Sequence, residues 1–228
     1  MRYRKLHSWN VSPKEAIKIQ EKFRGRLILK KRPGKINVIA GADVAFSKKD
    51  DKAFGAVVVL SYPGLEILEE AASSVSLKFP YIPGLLTFRE AESLLKCFEK
   101  IKYTPDLIIF DGQGIAHQRR MGLASHMGLV LNKPAIGCAK SRLTGICRQP
   151  SNRKGSYTLL KSKEGDIIGA CLRTHEGVKP VFVSPGHKID LKSSIEIIKK
   201  CAVKYRVPEP VRLADQLAAR QKKHFMIK

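Results

Sequence analysis

Acidic residues are scarce in this sequence: 20 Asp and Glu stand against 43 Lys and Arg in 228 residues, a formal net charge of +23. A field of that sign attracts polyanions, because lysines and arginines that neutralise phosphates release condensed counterions. An anionic membrane is the competing partner. However, no apolar run approaches the roughly 18 residues of a membrane span, and no basic amphipathic helix carries a bulky apolar face. The charge therefore favours nucleic acid, with no membrane partner.

Cysteine pairs and a secretion signal are also lacking. The five cysteines are scattered, and none forms a C-x-x-C pair. This argues against a disulfide framework and a zinc site and favours reduced thiols in a cytoplasmic protein. The first ten residues are basic but lack the apolar core of a signal peptide. With 43% hydrophobic residues and no linker, residues 1–228 are predicted to form one domain.

The order of apolar runs and turn formers predicts a mixed α/β domain. Ser12-Pro-Lys-Glu15 is a capping box that begins a helix. Residues 35–47 and 54–61 predict an antiparallel hairpin around the turn 48–52, with a third strand at 65–75. Further strands are predicted at residues 106–110, 134–140, 157–160, 167–173 and 181–183, and further helices at 87–101, 118–131, 193–205 and 210–222. A hairpin-led sheet with a parallel part follows from this order.

Three acids lie where a catalytic centre could form. Asp43 is inside an apolar strand, where a carboxylate is costly to desolvate unless a cation or donors meet it. Asp111 directly follows an apolar strand, at the end where open α/β sheets bind ligands; alternatively it is a turn former before Gly112. Glu90 is in the first turn of a helix, where it is either catalytic or the last residue of a Thr87-x-x-Glu90 capping box.

If neighbouring strands hold the two aspartates, the three carboxylates converge. They cannot all stay ionised at close range without a compensating cation. Hard oxygen ligands with open water positions suit Mg²⁺ or Mn²⁺. Such an ion polarises a phosphodiester and generates hydroxide from bound water. A negative site in a positive protein therefore predicts metal-dependent cleavage of a phosphodiester.

A histidine, a lysine and four glycines each have both a structural and a functional interpretation. His117 is either a surface or capping residue or, beside Arg119 and Arg120, a phosphate contact. Lys140 ends a predicted strand, where it is either solvated or stabilises charge on a phosphoryl oxygen. Four glycines are either turn and packing residues or the walls of a tight pocket for a flat ligand: Gly112, Gly114, Gly122 and Gly137.

The segment Pro80-Tyr-Ile-Pro83 is stiffened by two prolines at an expected loop tip. In one reading it is a rigid turn whose Tyr81 packs on the core. In the other, rigid apolar and aromatic side chains wedge between base steps and fill the space left by an extruded base.

Taken together, these motifs resemble the endonuclease V family, which repairs deaminated bases. The resemblance runs, in the family's order, through residues 39–44, 80–90, 111–126, 133–143, 184–190 and 206–215. It implies a ribonuclease H-like α/β fold with a central five-stranded mixed sheet flanked by helices. It also implies a Mg²⁺-dependent endonuclease, with Mn²⁺ expected to substitute. Such an enzyme recognises deoxyinosine and cuts the second phosphodiester bond on its 3′ side, leaving a 3′-hydroxyl and a 5′-phosphate.

Residue by residue, the resemblance assigns metal binding to Asp43, Glu90 and Asp111. It adds Asp215 to the acidic centre, although local sequence presents that residue as an exposed helical position. His117 and Lys140 match active-site positions that are expected to contact the phosphate and the attacking water. Lesion binding falls on the tip and on a base pocket of largely backbone groups: Pro80, Tyr81, Ile82, Pro83, Gly84, Gly112, Gly114 and Gly137.

Three substrate classes stay open at this point. The leading partner is DNA that contains deoxyinosine, bound by a monomer. The same fold could instead act on inosine in RNA or on branched DNA, because contacts to the 2′-hydroxyl cannot be read from sequence. A basic nucleic-acid-binding protein without chemistry, its acids purely structural, is the alternative from another class.

Overall fold

The computed structural model describes residues 1–30, 33–47 and 49–227. Five helices and eight strands are formed in the described ranges: α1 (Pro13–Arg24), β1 (Val38–Ser47), β2 (Lys52–Ser61), β3 (Ile67–Ser76), α2 (Leu86–Lys100), β4 (Leu107–Phe110), α3 (Leu123–Leu131), β5 (Ala135–Ala139), β6 (Tyr157–Lys161), β7 (Ile167–Leu172), β8 (Val181–His187), α4 (Leu191–Cys201) and α5 (Glu209–Ile227).

All eight strands belong to one sheet, in the order β3-β2-β1-β4-β5-β8-β7-β6. β1 pairs antiparallel with β2 and parallel with β4, and β4 pairs parallel with β5. The sheet is therefore mixed, as expected, but β8, β7 and β6 extend it antiparallel beyond β5. This corrects the strand count from five to eight.

Helices cover both faces of the sheet, because alternate strand residues are apolar on both sides. Ile108 and Phe110 of β4 join the core under α2 and α3. Leu107 and Ile109 of the same strand join the core under α4 and α5. The central strands are thus buried on both faces, which accounts for their nearly continuous apolar sequence. No helix in the described ranges is both long enough and apolar enough to cross a bilayer.

Two helix starts depend on local chemistry. The capping box at Ser12 is formed: the Ser12 hydroxyl accepts from the Glu15 backbone N–H, and the Glu15 carboxylate accepts from the Ser12 N–H. In contrast, α3 begins at Leu123 rather than at residue 118. Arg120 has a φ of +58°, a left-handed value that breaks a helix at this point. Residues 49–51 form the hairpin turn that the sequence predicts at 48–52; Lys52 already belongs to β2, and Lys48 lies outside the described residues.

Candidate active site

Asp43 and Asp111 lie side by side because their strands are parallel neighbours. Ala42 of β1 pairs with Phe110 of β4, and each aspartate is the next residue along. The Asp111 backbone N–H donates to the Ala42 carbonyl at 3.1 Å, which continues the pairing past the end of β4. The Asp43 carboxylate accepts from the Val44 N–H at 2.8 Å. Neighbouring strands therefore hold the two aspartates, which is the condition under which the sequence predicts that the carboxylates converge.

Glu90 reaches this centre from helix α2. A Cβ on Gly55 would lie 2.8 Å from the backbone of Ser93, so glycine is what allows α2 to pack this closely on β2. Glu90, one turn before Ser93, is buried. Leu85 is the N-cap of α2, and no side-chain cap bond is formed there. The capping-box reading of Glu90 is therefore wrong, and its burial needs another explanation.

Asp215 and Lys140 complete the cluster from the other face. Helix α5 crosses β1 so closely that a Cβ on Gly41 would lie 1.9 Å from the Pro210 carbonyl oxygen. The Asp215 side chain is 52% exposed, as its sequence position suggested. Lys140 Nζ lies 2.6 Å from Asp111 Oδ2 and 3.2 Å from Asp215 Oδ2. Lys140 is thus ion-paired rather than merely solvated, and it links the two acids.

The centre has more carboxyl groups than cationic groups, since Lys140 faces Asp111 and Asp215 and lies near Asp43. Burial, followed by the charge of Asp111, raises the pKa of Asp43 to about 8. Burial, followed by the charges of Asp43 and Asp111, raises the pKa of Glu90 well above its ordinary value. Burial also raises the pKa of Asp111, although Lys140 opposes that effect. One ammonium group therefore does not compensate for the carboxylates that surround it.

This donor set fits a hard divalent cation by its chemistry. Asp43, Glu90 and Asp111 offer oxygen ligands. Their pKa values are raised chiefly by burial, and for Asp43 and Glu90 also by neighbouring carboxylates, so a bound cation would favour their ionised forms. In residues 1–30, 33–47 and 49–227, no three His, Cys, Asp or Glu side chains stand in a ready-made metal cage. The residues that could hold a metal are thus gathered at one place as an open set of carboxylates.

A cavity of about 370 Å³ opens directly beside the carboxylates. Asp111 and Lys140 belong both to its wall and to the acidic centre. Three segments form the rest of the wall: residues 81–84 with 86 and 87, the loop after β4 with the first residue of α3 (112, 113, 117, 122 and 123), and the end of β5 with the residues that follow it (139–143). The arrangement can hold a flat ligand next to the charged groups.

The glycines expected at a base pocket divide into two groups. Gly84 and Gly112 line the cavity. Gly114 and Gly137 pack against backbone instead: a Cβ on Gly114 would lie 2.2 Å from the Pro185 oxygen, and one on Gly137 would lie 2.3 Å from the Gly114 nitrogen. These two glycines thus hold the loop after β4 tightly against its neighbours.

His117 is buried rather than a surface or capping residue. Its Nε2 lies 2.8 Å from the Gly84 carbonyl oxygen, and its Nδ1 accepts from the Arg119 N–H at 3.1 Å. Both contacts fit a neutral ring that is protonated on Nε2. Burial lowers the pKa of His117 to about 4, which also favours the neutral ring. Of its two basic neighbours, Arg120 pairs with Asp166 at 3.0 Å.

The tip formed by residues 80–83 projects from the molecule beside the cavity. The Tyr81 side chain is 71% exposed, so the reading in which it packs on the core is wrong. Pro80 and Pro83 are exposed as well, while Ile82 packs against the small core that includes Phe79, Leu85 and Phe88. The tip is therefore anchored at its base and presents a rigid aromatic ring to solvent.

A sequence model of the endonuclease V family matches residues 21–216. The chain belongs to the endonuclease V family. An endonuclease V of Methanothrix thermoacetophila is 50% identical over 221 residues, with 97% of each chain covered. The crystal structure of endonuclease V from Streptomyces avermitilis matches with a TM-score of 0.91 at 39% identity, covering 96% of each chain.

Endonuclease V of Ciona intestinalis has been crystallised with a 23mer DNA that contains an inosine followed by a ribo-adenosine. It matches with a TM-score of 0.83 at 30% identity, over 94% of this chain and all of the other. These relatives confirm the ribonuclease H-like α/β fold. They also establish that this chain is a member of a family of nucleases, which are metal-dependent in general.

Sequence reasoning missed three residues that organise this endonuclease V site. Gln113 Nε2 donates to the Ser141 carbonyl and ties the two cavity loops together. Arg206 donates to the Lys140 carbonyl at 2.6 Å and so fixes the backbone beneath that lysine. Gln20 is fully buried on α1, on the same face as Ala16 and Phe23. A polar residue on an apolar helix face was a readable signal for Gln20, whereas the first two have none in the local sequence.

Proposed function

We propose that this chain is a DNA repair endonuclease that recognises deoxyinosine and hydrolyses the second phosphodiester bond on its 3′ side, leaving a 3′-hydroxyl and a 5′-phosphate. The observation that carries the proposal is the shared wall: Asp111 and Lys140 belong both to the carboxylate centre and to the cavity. A base held in that cavity would bring its own strand to the carboxylates. The inosine-containing DNA bound by the Ciona intestinalis relative supports this choice of ligand.

In this proposal, Asp43, Glu90 and Asp111 hold Mg²⁺, for which Mn²⁺ can substitute. When bound, the ion supplies Lewis-acid chemistry: it polarises the phosphodiester and lowers the pKa of a coordinated water. Asp215 adds a further carboxylate and orients Lys140, whose Nζ it contacts at 3.2 Å. Lys140 places a positive charge at the cavity wall, where it can stabilise charge that develops on a phosphoryl oxygen.

His117 has a supporting part. In the structure its ring contacts the Gly84 carbonyl, so a contact with phosphate or the attacking water requires the Nε2 proton to change partner when DNA binds. The ring is neutral at physiological pH, and it can therefore donate one hydrogen bond and accept another.

In this proposal, the tip and the cavity provide selectivity for an extruded hypoxanthine. Tyr81 would fill the gap left in the stack, while backbone groups near Gly84 and Gly112 would read the base edge. Hypoxanthine and adenine differ at one edge, and a buried donor or acceptor left unpaired by the wrong base costs about 1–3 kcal/mol. A mispaired base is also easier to extrude than a paired one.

Inosine-containing RNA is the second candidate substrate. One observation favours it: the strand bound by the Ciona intestinalis relative carries a ribonucleotide directly after the inosine. The two substrates share the base and differ at the 2′-hydroxyl, so comparing cleavage of the DNA with cleavage of the RNA shows which one the protein acts on.

The test is a strand-nicking assay on end-labelled duplexes that contain one deoxyinosine or a matched adenine, in Mg²⁺ and in chelator. We expect a Mg²⁺-dependent nick one nucleotide beyond the lesion and none in the adenine duplex. A single-stranded RNA with one inosine is run in parallel. Cleavage of that RNA alone would replace DNA by RNA as the substrate, and no cleavage of either would overturn the proposal.

A further inference from the structure

The Gly84 carbonyl oxygen is the meeting point of three side-chain donors in the described part of the chain. Gln20 Nε2 lies at 3.0 Å, His117 Nε2 at 2.8 Å and an Arg119 guanidinium nitrogen at 2.9 Å. Three donors on one carbonyl, one of them charged, form a strong and directional anchor. Gly84 has a φ of +83°, which suits glycine at the end of the proline-stiffened tip.

Gln20 uses its whole amide group in this network. Its Nε2 also donates to the Met121 carbonyl at 3.0 Å, and its Oε1 accepts from Arg119 Nε at 2.6 Å. The side chain is completely buried. Packing alone would favour an apolar residue here, because a buried amide costs free energy unless its partners are all in place.

Gly84 lies between two functional segments. The tip with Tyr81 ends at Gly84, and helix α2 with Glu90 begins two residues later, at Leu86. His117 and Arg119 belong to the loop that follows Asp111. The anchor thus fixes both the tip and the start of α2 to the loop of the carboxylate centre.

We propose that Gln20 is a positioning residue that sets the tip against the carboxylate centre. This rests on the proposed function, since the position of the tip matters only if it enters DNA at a lesion. Gln20 lies too deep to touch substrate, and it acts through Gly84 and Arg119. An error of about 1 Å in such positioning can lower a rate roughly a hundredfold.

The test compares Gln20→Met, which keeps the length of the side chain but removes its hydrogen bonds, with Phe23→Leu. Phe23 is buried one turn later on the same helix and is apolar, so its variant reports a general loss of packing. We expect Gln20→Met to lower the single-turnover nicking rate on the deoxyinosine duplex about tenfold or more. Phe23→Leu is expected to keep a rate within about twofold of the unaltered protein.

A double-mutant cycle tests whether Gln20 acts on the nicking rate through the tip. Because Gln20→Met and Tyr81→Ala both act through the tip, the combined variant is expected to lose less than the product of the two effects. The effects of Phe23→Leu and Tyr81→Ala are expected to multiply. Amide hydrogen exchange at residues 81–86 is a readout that does not depend on activity, and it is expected to accelerate in Gln20→Met but not in Phe23→Leu.

The outcomes separate the two proposals. Unaltered protein that nicks neither deoxyinosine DNA nor inosine RNA overturns the function, while exchange at the tip still tests the anchor. Active protein in which Gln20→Met matches Phe23→Leu in rate and exchange overturns the positioning role. If Gln20→Met does not fold, Gln20→Glu replaces it: this keeps the contact with Arg119 but sets a carboxylate oxygen against the Gly84 and Met121 carbonyls, and the same loss is expected.

Discussion

At the scale of single residues, Asp43 shows that burial in the fold makes the charged form of a carboxyl group unfavourable. Its pKa is raised from 3.8 to about 8, chiefly by burial and then by Asp111. Between these values the folded state holds a proton that the unfolded state releases. This carboxyl group therefore contributes stability at low pH that is lost as pH rises through 8. His117, His126 and His187 act in the opposite direction: their pKa values are lowered to about 4, 3 and 4, so they remove stability as pH falls below 6.5.

These signs define a pH window and a prediction. In chelator, the Tm of the protein is expected to fall as pH is raised from 6.5 to 8, because the carboxylates dominate there. Asp43→Asn is expected to flatten this slope and to raise the Tm at pH 8, at about 2–4 °C per kcal/mol for a chain of this size. Scanning calorimetry measures the Tm of the two proteins across this pH range.

Added Mg²⁺ should raise the Tm of the unaltered protein more than that of Asp43→Asn. If the two proteins show the same change of Tm with pH and the same response to Mg²⁺, the electrostatic account is refuted.

Tyr81 gives a second prediction at this scale. The ring is exposed and held on a stiff tip, so removing it should leave the fold intact and act on DNA alone. Tyr81→Ala is expected to weaken binding to a deoxyinosine duplex by about tenfold, since one base-stacking aromatic contributes roughly 1–3 kcal/mol. Binding to the undamaged duplex should change little. Fluorescence anisotropy on the two duplexes decides the matter, and an equal loss on both would rule out the wedge role.

At the scale of elements, glycines set how closely helices approach the sheet. Gly41 lets the first turn of α5 contact β1, and this contact places Asp215 beside Lys140. Gly41→Ala is expected to push α5 outward and to lower the free energy of unfolding by about 1–3 kcal/mol. Nicking should fall as well. Gly25→Ala is the matched control, because nothing lies within 4 Å of a Cβ there and its φ of −69° suits alanine. A Gly41→Ala protein as stable and active as this control would contradict the close-approach argument.

The elements also show what sequence can and cannot predict. Local patterns located all eight strands, both short buried runs such as β4 and partly exposed strands between turn formers such as β3. The count of five came from the resemblance and leaves out the antiparallel extension β8-β7-β6. The sequence pattern predicts the start of α3 five residues too early, because the left-handed φ of Arg120 is not encoded in any simple local pattern.

The site was predictable to a similar extent. Asp43 and Asp111 stood out because an acid in or after an apolar strand is costly. The burial of Glu90 could not be inferred, since Thr87-x-x-Glu90 is a complete capping pattern on its own. The hydrogen-bond partner of His117 and Gln20 could not be predicted from local sequence for another reason. Both side chains bond to Gly84, which is 33 residues away from His117 and 64 residues away from Gln20 along the chain.

At the scale of the whole molecule, we expect the net charge of +23 to set the affinity for nucleic acid rather than the selectivity for the lesion. If roughly four phosphates are neutralised on binding, affinity should fall about a hundredfold between roughly 50 and 200 mM salt. The slope should be the same for deoxyinosine and undamaged duplexes, because phosphate contacts carry no lesion information. A salt titration with both duplexes measures this. Affinity that is independent of salt would show that the basic surface does not hold the phosphate backbone.

The central claim is that the carboxylate centre performs chemistry on bound nucleic acid. The most direct measurement is to follow nicking and binding of one deoxyinosine duplex by Asp43→Asn in Mg²⁺, beside Asp166→Asn, whose carboxylate is exposed and paired with Arg120. We expect Asp43→Asn to lose nicking by at least about a hundredfold while its affinity for the duplex stays within a few-fold, and Asp166→Asn to retain both. An Asp43→Asn protein that nicks at the unaltered rate would contradict the account.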